Sequence, residues 1–314
     1  MSNSIKIIFC FDRNYAHYAA VSAHSLLINS RSELRIFWIV PVEDESYVLA
    51  VAEQLANRTG LNVTVIPASS AAFADWKVSN HFTRGMYLRL LIPTLIDAPR
   101  AIYLDADTLV LADLEPLYTI DLGDKLIAGV PDPAGERSTR IPRRAGDPYI
   151  NSGMLVMNLD ALREDRMFEK AQSIYARYER DAAWPDQCVI NKYAEGRKLV
   201  LREGWNRQVS ASHITRTQFE AVLRENDLSI IHFVDAVKPW QKWCNPYVGD
   251  FWWSYASRLT IDGLKPQEIT TIDQAIQFAR VLDANERYME PSRFKDDIIA
   301  RLAGLANVRG RNDE

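Results

Sequence analysis

Positions 101–110, AIYLDADTLV, contain side chains whose types and spacing could support chemistry. A short apolar run leads into Asp105 and Asp107, and a second apolar run follows them. A continuously apolar run bounded by polar residues predicts a buried strand. Ligands bind at the carboxyl end of such strands in open α/β sheets. If the backbone stays extended, both carboxylates project to the same side. A hard divalent ion such as Mg²⁺ or Mn²⁺ would offset their repulsion there. The alternative is a solvated acidic turn in which one aspartate caps the next segment.

The elements before this strand predict an α/β fold with a largely parallel sheet. Apolar runs at 5–11, 34–40 and 61–67 alternate with helical periodicity at 15–26 and 43–58. Such an order predicts parallel strands joined by right-handed crossovers, which is typical of a nucleotide-binding half-sheet. No G-x-G-x-x-G follows the first strand, so the sequence does not support the dinucleotide site of a dehydrogenase.

Two segments hold arginines that need an explanation. A helix is predicted over 80–95, and Arg89 lies inside its mostly apolar stretch. Because arginine is rarely buried without an anionic partner, Arg89 either snorkels to the surface or faces the acidic strand edge or a phosphate. Residues 134–148 form a predicted irregular loop that either meets an anionic partner or is a mobile surface loop. Its four arginines are Arg137, Arg140, Arg143 and Arg144.

Later elements add further polar candidates. Asp160 is the predicted N-cap of a helix that runs to about residue 180. Pro185 opens another helix, whose first turn carries Asp186 and Gln187. His232 lies in a predicted strand, and a single histidine in a strand is more often a core residue than a ligand.

Composition excludes several classes of function. The 314 residues are 47% apolar and 25% charged, which is ordinary for a globular protein. A net charge of −4 gives no reason to expect nucleic acid as a partner. The three cysteines are far apart and contain no C-x-x-C, which argues against a disulfide framework or a zinc site and suits a reducing cytosol. No stretch approaches the roughly 20 apolar residues of a transmembrane segment.

The end of the chain differs from the rest. Residues 266–304 predict two amphipathic helices, and acidic residues balance the basic ones from 251 onward. This part is therefore not the polybasic type that attaches to membranes electrostatically. We predict a catalytic domain over residues 1–248 and a helical extension over 249–314.

Six separated motifs resemble glycosyltransferase family 8, in its order and spacing, over about residues 5–245. The motifs are FCFDRNY (9–15), MYLRLLIP (86–93), YLDADTLV (103–110), NSGMLVMNL (151–159), DQCVIN (186–191) and HFVDAVKPW (232–240). The resemblance implies a GT-A fold, with a Rossmann-like, mostly parallel central sheet between helices on both faces and a helical C-terminal tail. It also implies that a hexose is transferred with retention from UDP-Gal or UDP-Glc, as in bacterial lipooligosaccharide galactosyltransferases and, more distantly, glycogenin.

The resemblance also implies roles for individual residues. The implied metal ligands are Asp105, Asp107 and His232. Two carboxylates and an imidazole suit Mn²⁺, and Mg²⁺ is the alternative ion. The implied donor-binding residues are Asp12, Asn14, Tyr15, Arg89, Asp105, Ala106, Asp107, Asn151 and Lys238. The implied catalytic residues are Gln187, Asp186 and Lys238, and the implied acceptor contacts are His81 and Asp132.

The position that matches a retaining nucleophile holds Gln187, a weak nucleophile. We therefore expect same-face substitution in a tight ion pair, with a UDP oxygen helping to deprotonate the acceptor. The expected acceptor is a bacterial surface saccharide, free or lipid-linked. The expected location is the cytoplasm, including the inner face of the membrane.

Two residues depart from the family pattern. Cys188 stands where some relatives have an acidic residue, and Asp235 stands where a small residue, often glycine, is usual. A carboxylate at position 235 could repel the diphosphate. One alternative is therefore a UDP-sugar-binding protein with a degenerate catalytic centre. The other is a nucleotidyltransferase, which would usually require a basic, glycine-rich loop after the first strand. This chain has Asp12-Arg13-Asn14 there instead.

Overall fold

The structure is a computed structural model that describes residues 4–78 and 83–285. Its strands are β1 (Ile5–Cys10), β2 (Leu34–Pro41), β3 (Val63–Ala68), β4 (Arg100–Leu104), β5 (Thr108–Val110), β6 (Ile127–Gly129), β7 (Met154–Asn158), β8 (Lys198–Val200), β9 (Arg207–Ser210) and β10 (Ile230–Val234). Its α-helices are α1 (Ala16–Asn29), α2 (Glu45–Thr59), α3 (Arg84–Tyr87), α4 (Ile92–Leu95), α5 (Glu115–Tyr118), α6 (Pro133–Ser138), α7 (Leu159–Glu164), α8 (Met167–Tyr178), α9 (Pro185–Tyr193), α10 (Arg216–Leu223), α11 (Pro246–Ala256) and α12 (Ile272–Ala284).

The central sheet has seven strands in the order β3-β2-β1-β4-β7-β6-β8. Strands β3, β2, β1 and β4 pair in parallel, as do β6 and β8. Strand β7 is antiparallel to both of its neighbours, β4 and β6. The predicted α/β class with a mostly parallel central sheet is therefore confirmed, and β7 is the strand that reverses direction.

The first half of the sheet follows the predicted alternation of strands and helices. Ile7, Ile8 and Phe9 of β1 are fully buried, as expected for a central parallel strand. Helix α2 is followed by Gly60, whose φ of 74° lies in the left-handed region that closes helices. Gly60 is therefore the C-cap of α2.

Residues 105–107 (Asp-Ala-Asp, the D-x-D turn) form a turn between two sheets. After β4 the chain leaves the central sheet, and β5 pairs antiparallel with β10 in a second sheet of order β5-β10-β9. The condition that the backbone stays extended through Asp105–Asp107 is therefore not met, because a chain that changes sheets must bend. The hydroxyl of Thr108 donates to the carbonyl oxygen of Asp105 at 2.8 Å and stabilises this bend.

Several predicted helices are shorter or begin elsewhere. The helix expected over 80–95 is divided into α3, a 3₁₀ segment at Leu88–Leu91 and α4; residues 79–82 lie outside the description. Asn158, not Asp160, caps the helix after β7, since its Oδ1 accepts from the amide of Ala161 at 3.1 Å. Arg166, at φ 52°, separates α7 from α8. The first part of the expected loop 134–148 lies in α6.

The chain divides into two compact units. One contains residues 1–207, 227–232 and 259–262, and the other contains 208–226, 233–258 and 263–314. The first holds the seven-stranded sheet, and the second holds α10, α11 and α12. Helix α12 falls in the segment predicted to be helical, and residues 286–304 of that segment lie outside the description. The single predicted boundary at residue 248 stays a prediction. No helix among the described residues is long and apolar enough to span a membrane.

Candidate active site

Three side chains of the first unit converge where β4, the D-x-D turn and β10 meet. One ligand atom from each of Asp105, Asp107 and His232 lies within 4.8 Å of the others. Nε2 of His232 is 3.3 Å from Oδ1 of Asp107 and 3.7 Å from Oδ2 of Asp105. The structure thus brings together residues that are 125 positions apart in sequence (232 − 107 = 125).

The surroundings of this cluster fit a divalent ion. Oδ1 of Asp105 accepts hydrogen bonds from Arg89 Nη2, at 2.8 Å, and from the Tyr103 hydroxyl. The other oxygen, Oδ2, is left facing His232. Nδ1 of His232 is buried and has no hydrogen-bond partner among the described residues. Carboxylates oriented by neighbouring donors, together with an imidazole, form a set of ligands suited to Mn²⁺ or Mg²⁺.

Gly153 gives this cluster the space that it needs. A Cβ atom at this position would lie 2.2 Å from Cε1 of His232 and 2.7 Å from Oδ2 of Asp105. The carbonyl oxygen of Gly153 accepts the amide of Asp105 at 2.8 Å, which fixes the backbone at this close approach. Any side chain here would occupy the volume between the predicted ligands.

Arg89 connects the cluster to the first turn of α9. Besides its bond to Asp105, its Nη1 lies 3.2 Å from Oδ2 of Asp186. The same Nη1 donates to the carbonyl oxygen and to the hydroxyl of Ser152, both at 3.1 Å, and Nε donates to the carbonyl oxygen of Met86 at 2.9 Å. Arg89 is only 5% exposed. Of the two alternatives for Arg89, the structure has the one that faces the acidic strand edge.

Burial and charge act against each other in this network. Burial raises the pKa of Asp186 above the usual value; Arg89 opposes this rise and Asp105 adds to it. Burial is the largest single influence on the pKa of Arg89 and lowers it, but the neighbouring groups, with the Asp105 carboxylate first among them, together outweigh burial and raise that pKa. The guanidinium therefore stays charged and compensates the acidic groups around it.

Gln187 is held by hydrogen bonds at both ends of its amide. Its Oε1 accepts the amide of Ser152 at 2.9 Å, and its Nε2 donates to Oδ2 of Asp132 at 2.9 Å. The same Nε2 lies 3.3 Å from the Tyr149 hydroxyl. Asp132 is held in turn, since its Oδ1 caps α6 by accepting the amide of Gly135 at 2.8 Å. These bonds place the predicted catalytic Gln187 beside the predicted acceptor contact Asp132.

Asn151 extends the same network on its other side. Its Oδ1 accepts from the amide of Gly153 at 2.9 Å and from Nδ2 of Asn206 at 3.0 Å. Asn206 is fully buried, and we did not predict it as a site residue because a single asparagine after a tryptophan carries no pattern. Tyr103 was also missed, although it stands two positions before Asp105 and the same strand alternation could have found it.

The loop after β1 holds the residues predicted to bind the nucleobase. Asp12 is buried, and its Oδ1 accepts the amide of Asn14 at 2.9 Å, which caps a 3₁₀ turn. Asn14 is exposed. Burial raises the pKa of Tyr15 well above its ordinary value, and the Asp107 carboxylate adds to the rise. Ala106 is buried between the two aspartates.

Lys238 and Asp235 lie in the second unit. Nζ of Lys238 donates to the carbonyl oxygen of Phe233 at 2.7 Å, and the side chain is buried. Asp235 has a φ of 71°, in the left-handed region that favours glycine. Backbone conformation therefore gives a physical reason for a glycine at this position. Nδ1 of His213 lies 3.9 Å from the Asp235 carboxylate.

Cys188, the other departure, lies in a small buried cluster. Its sulfur is 3.1 Å from the Tyr149 hydroxyl and 3.4 Å from Oγ1 of Thr139. A thiol is a small hydrophobic group that packs well there. The remaining predicted site residue, His81, lies outside the described residues.

Comparison with known proteins agrees with this architecture. The model of the family described as "Glycosyl transferase family 8" matches residues 6–244. The Lipopolysaccharide 1,2-glucosyltransferase of Escherichia coli (strain K12) is 27% identical over 256 residues, covering 77% of this chain and 74% of the relative. General stress protein A of Bacillus subtilis (strain 168) is 26% identical over 250 residues, covering 74% and 86%.

A solved structure shares the fold. Galactosyltransferase LgtC, solved in complex with donor and acceptor sugar analogues, matches with a TM-score of 0.69 and 25% sequence identity. The match covers 82% of this chain and 96% of that one. The predicted GT-A fold is thereby confirmed.

Proposed function

Because the chain belongs to glycosyl transferase family 8, we propose that it is a metal-dependent, retaining hexosyltransferase that uses UDP-Gal or UDP-Glc. Relatives named as a lipopolysaccharide glucosyltransferase and a galactosyltransferase support a hexose donor and a bacterial surface saccharide, free or lipid-linked, as acceptor. The enzyme acts in the cytoplasm or at the inner face of the membrane. Residues 1–248 carry the catalytic activity, and 249–314 form a helical extension.

The observation that carries this proposal is the convergence of Asp105, Asp107 and His232 around the space that Gly153 leaves open. These three side chains would hold Mn²⁺, or Mg²⁺ as the alternative. The ion, when bound, supplies Lewis-acid stabilisation to the UDP diphosphate as it leaves. A site that presents two carboxylates without an ion would repel a diphosphate, so the ion also makes the donor site electrostatically acceptable.

Arg89 orients the acidic groups on which this site depends. It fixes one oxygen of Asp105 and directs the other to the predicted metal position. Its charge also compensates Asp186, whose remaining lone pairs are then available to hydroxyl groups of the donor sugar. Lys238 adds a positive charge that offsets the charge developing on the leaving diphosphate.

Gln187 positions the substrates and does not attack the sugar. An amide oxygen is a weak nucleophile, and Oε1 of Gln187 already accepts a hydrogen bond from Ser152. We therefore assign same-face substitution: the bond between the anomeric carbon and the UDP oxygen breaks, and the acceptor oxygen bonds to that carbon from the same side. The acceptor proton passes to the leaving UDP oxygen. Asp132, bonded to Gln187, binds the acceptor.

The nucleotide end of the donor binds at the loop after β1. Asp12 and Asn14 hydrogen-bond the uracil, and Tyr15 stacks near it. Ala106 and Asn151 contact the donor through the D-x-D turn and the loop before β7.

The test measures UDP release from UDP-Glc and UDP-Gal with Mn²⁺, with and without glycan acceptors. Asp105→Asn and His232→Ala should each lower Mn²⁺-dependent turnover by about 100-fold or more, with an unchanged circular dichroism spectrum. Asp124→Asn is the matched control, because that carboxylate is 84% exposed and pairs with Lys125. Wild-type turnover in both site variants would refute the metal assignment. Saturable UDP-sugar binding without any UDP release would instead favour the sugar-binding protein with a degenerate centre.

A further inference from the structure

A cavity of the first unit is lined by three of the four arginines that the sequence concentrates before β7. Its volume is about 420 Å³, and the charged residues in its wall are Arg140, Arg143, Arg144, Glu136 and Asp147. We propose that this cavity, the arginine pocket, binds a phosphate or carboxylate group carried by the acceptor saccharide. The inference rests on the proposed function and specifies the class of acceptor.

Asp147 contributes no free negative charge to the arginine pocket. Nζ of Lys198 bonds its Oδ2, and the amide of Gly196 donates to its Oδ1 at 2.7 Å. The side chains of Lys198 and Asp147 are 0% and 2% exposed, so the pair presents almost no charged surface to the cavity. The Lys198 charge cancels that of Asp147.

The arginines are therefore in excess over the acids. Arg143 pairs with Glu136, with 2.8 Å between Nη2 and Oε1, and its Nη1 donates to the carbonyl oxygen of Asp147 at 3.1 Å. The guanidinium groups of Arg140 and Arg144 make no hydrogen bond or ion pair with any residue of 4–78 or 83–285. Two guanidinium groups at one cavity suit an anion, since each offers a planar fork of N–H donors to carboxylate or phosphate.

The arginine pocket is separated from the predicted acceptor residues by one aromatic ring. The Arg143 guanidinium carbon lies 5.3 Å from the centre of the Tyr149 ring. On the other side, the Tyr149 hydroxyl lies 3.3 Å from Nε2 of Gln187, which donates to Asp132. In this proposal, the saccharide bound at Asp132 carries its charged substituent past the Tyr149 ring to the arginines.

The anion belongs to the acceptor because the donor's negative charge is already accounted for. The proposed site for the UDP diphosphate is the Asp105, Asp107 and His232 cluster with its metal. The protein has a net charge of −4, so the arginine pocket is a local positive feature and not part of a basic surface that would bind nucleic acid.

The experiment measures the binding of galactose 6-phosphate, galacturonic acid and neutral galactose by calorimetry, with UDP and Mn²⁺ saturating so that the diphosphate site is filled. The first sugar tests phosphate and the second tests carboxylate. Wild-type protein should bind at least one charged sugar about tenfold more tightly than galactose. Arg140→Ala/Arg144→Ala should bring that ratio close to one, and Arg140→Lys/Arg144→Lys should retain part of it. Raising the salt concentration should weaken the binding of the charged sugars only.

Arg137→Ala is the matched control, because Arg137 is an exposed arginine of α6 that does not line the cavity. It should keep the wild-type ratio. Equal binding of charged and neutral sugars by the wild type, including no measurable binding of any of them, overturns the inference. An equal loss of the ratio in Arg137→Ala also overturns it. If the wild type turns over UDP-hexose but shows no preference, only the arginine pocket fails. If it turns over no UDP-sugar, the proposed function fails.

Discussion

Two ion-paired groups in the first unit, each built on an almost fully buried cation, differ in completeness. In the Lys198–Asp147 pair, one cation meets one carboxylate, and both carboxylate oxygens have donors. In the other, Arg89 lies between two carboxylates, those of Asp105 and Asp186. Only one oxygen of Asp105 has its hydrogen-bond donors there, and the second faces His232.

This difference distinguishes an ion pair with a structural role from a charged cluster that can bind a ligand. A buried pair whose atoms are all bonded can only contribute to stability and conformational specificity. A largely buried cluster that has more acidic than basic groups, and one carboxylate oxygen without a hydrogen-bond donor, favours the binding of a cation. The surplus of buried negative charge is thus the physical mark of the candidate site.

The largest effect is expected from a substitution that disrupts the incomplete cluster without changing its charges. Gly153→Ala places a methyl group 2.2 Å from His232 Cε1, so the predicted ligands must separate. We expect Mn²⁺-dependent turnover to fall by about 100-fold or more, and Mn²⁺ affinity, measured by electron paramagnetic resonance, to fall with it. Gly123→Ala is the control for backbone strain alone: a Cβ there meets nothing within 4 Å, whereas the φ of 52° strains an alanine, so stability should fall while Mn²⁺ affinity stays at the wild-type value. Normal Mn²⁺ affinity in Gly153→Ala would contradict the assigned metal position.

A second change breaks the complete pair. Lys198→Met leaves the Asp147 carboxylate buried without its cation, which should lower the free energy of unfolding by about 3–5 kcal/mol. Lys198→Met/Asp147→Leu should recover most of that loss, because no uncompensated charge remains. Urea unfolding measures both. If the double variant is as unstable as the single one, the carboxylate is not the cause.

The smallest effect concerns a pair near the surface. Hydrogen bonds from Arg197 above all, and then from Lys170 and Tyr193, hold the pKa of Asp165 well below its usual range. The carboxylate thus contributes stability above its unfolded pKa, and this contribution is lost as the pH falls through the folded pKa. Asp165→Asn should cost about 1 kcal/mol at pH 7. The difference from wild type, measured by urea unfolding, should shrink below about pH 4. A difference that does not change with pH would show that charge is not its source.

Local signals explain what could be predicted from the sequence. An apolar run ending in two aspartates predicts a strand whose end carries acids, and β4 and the D-x-D turn match that expectation. Arg89 was a candidate because a cation within an apolar stretch needs an acidic partner, and the structure provides two. The linking of His232 to the aspartates came from the family resemblance, since nothing local connects residues so far apart.

Properties that depend on distant contacts could not be predicted. The apolar run of β7 fits a strand in either direction, and only its pairing with β4 and β6 makes it antiparallel. Asn158 rather than Asp160 caps α7, because the helix begins directly after β7, at Leu159, and not two residues later. The unusual φ of Asp235 leaves no trace in a sequence in which aspartate is also common in ordinary loops.

The pairing of β4 with β7 has a consequence for the kinds of genetic change that this chain can accept. Leu104 pairs with Met154, so the next backbone contact joins Asp105 to Gly153. A single inserted or deleted residue in either strand would bring Ser152 or Met154 opposite Asp105 and reverse the faces of the strand. Substitutions in β4 and β7 that keep their apolar character should accumulate freely, whereas changes in the length of these two strands should be absent among active descendants of this sequence.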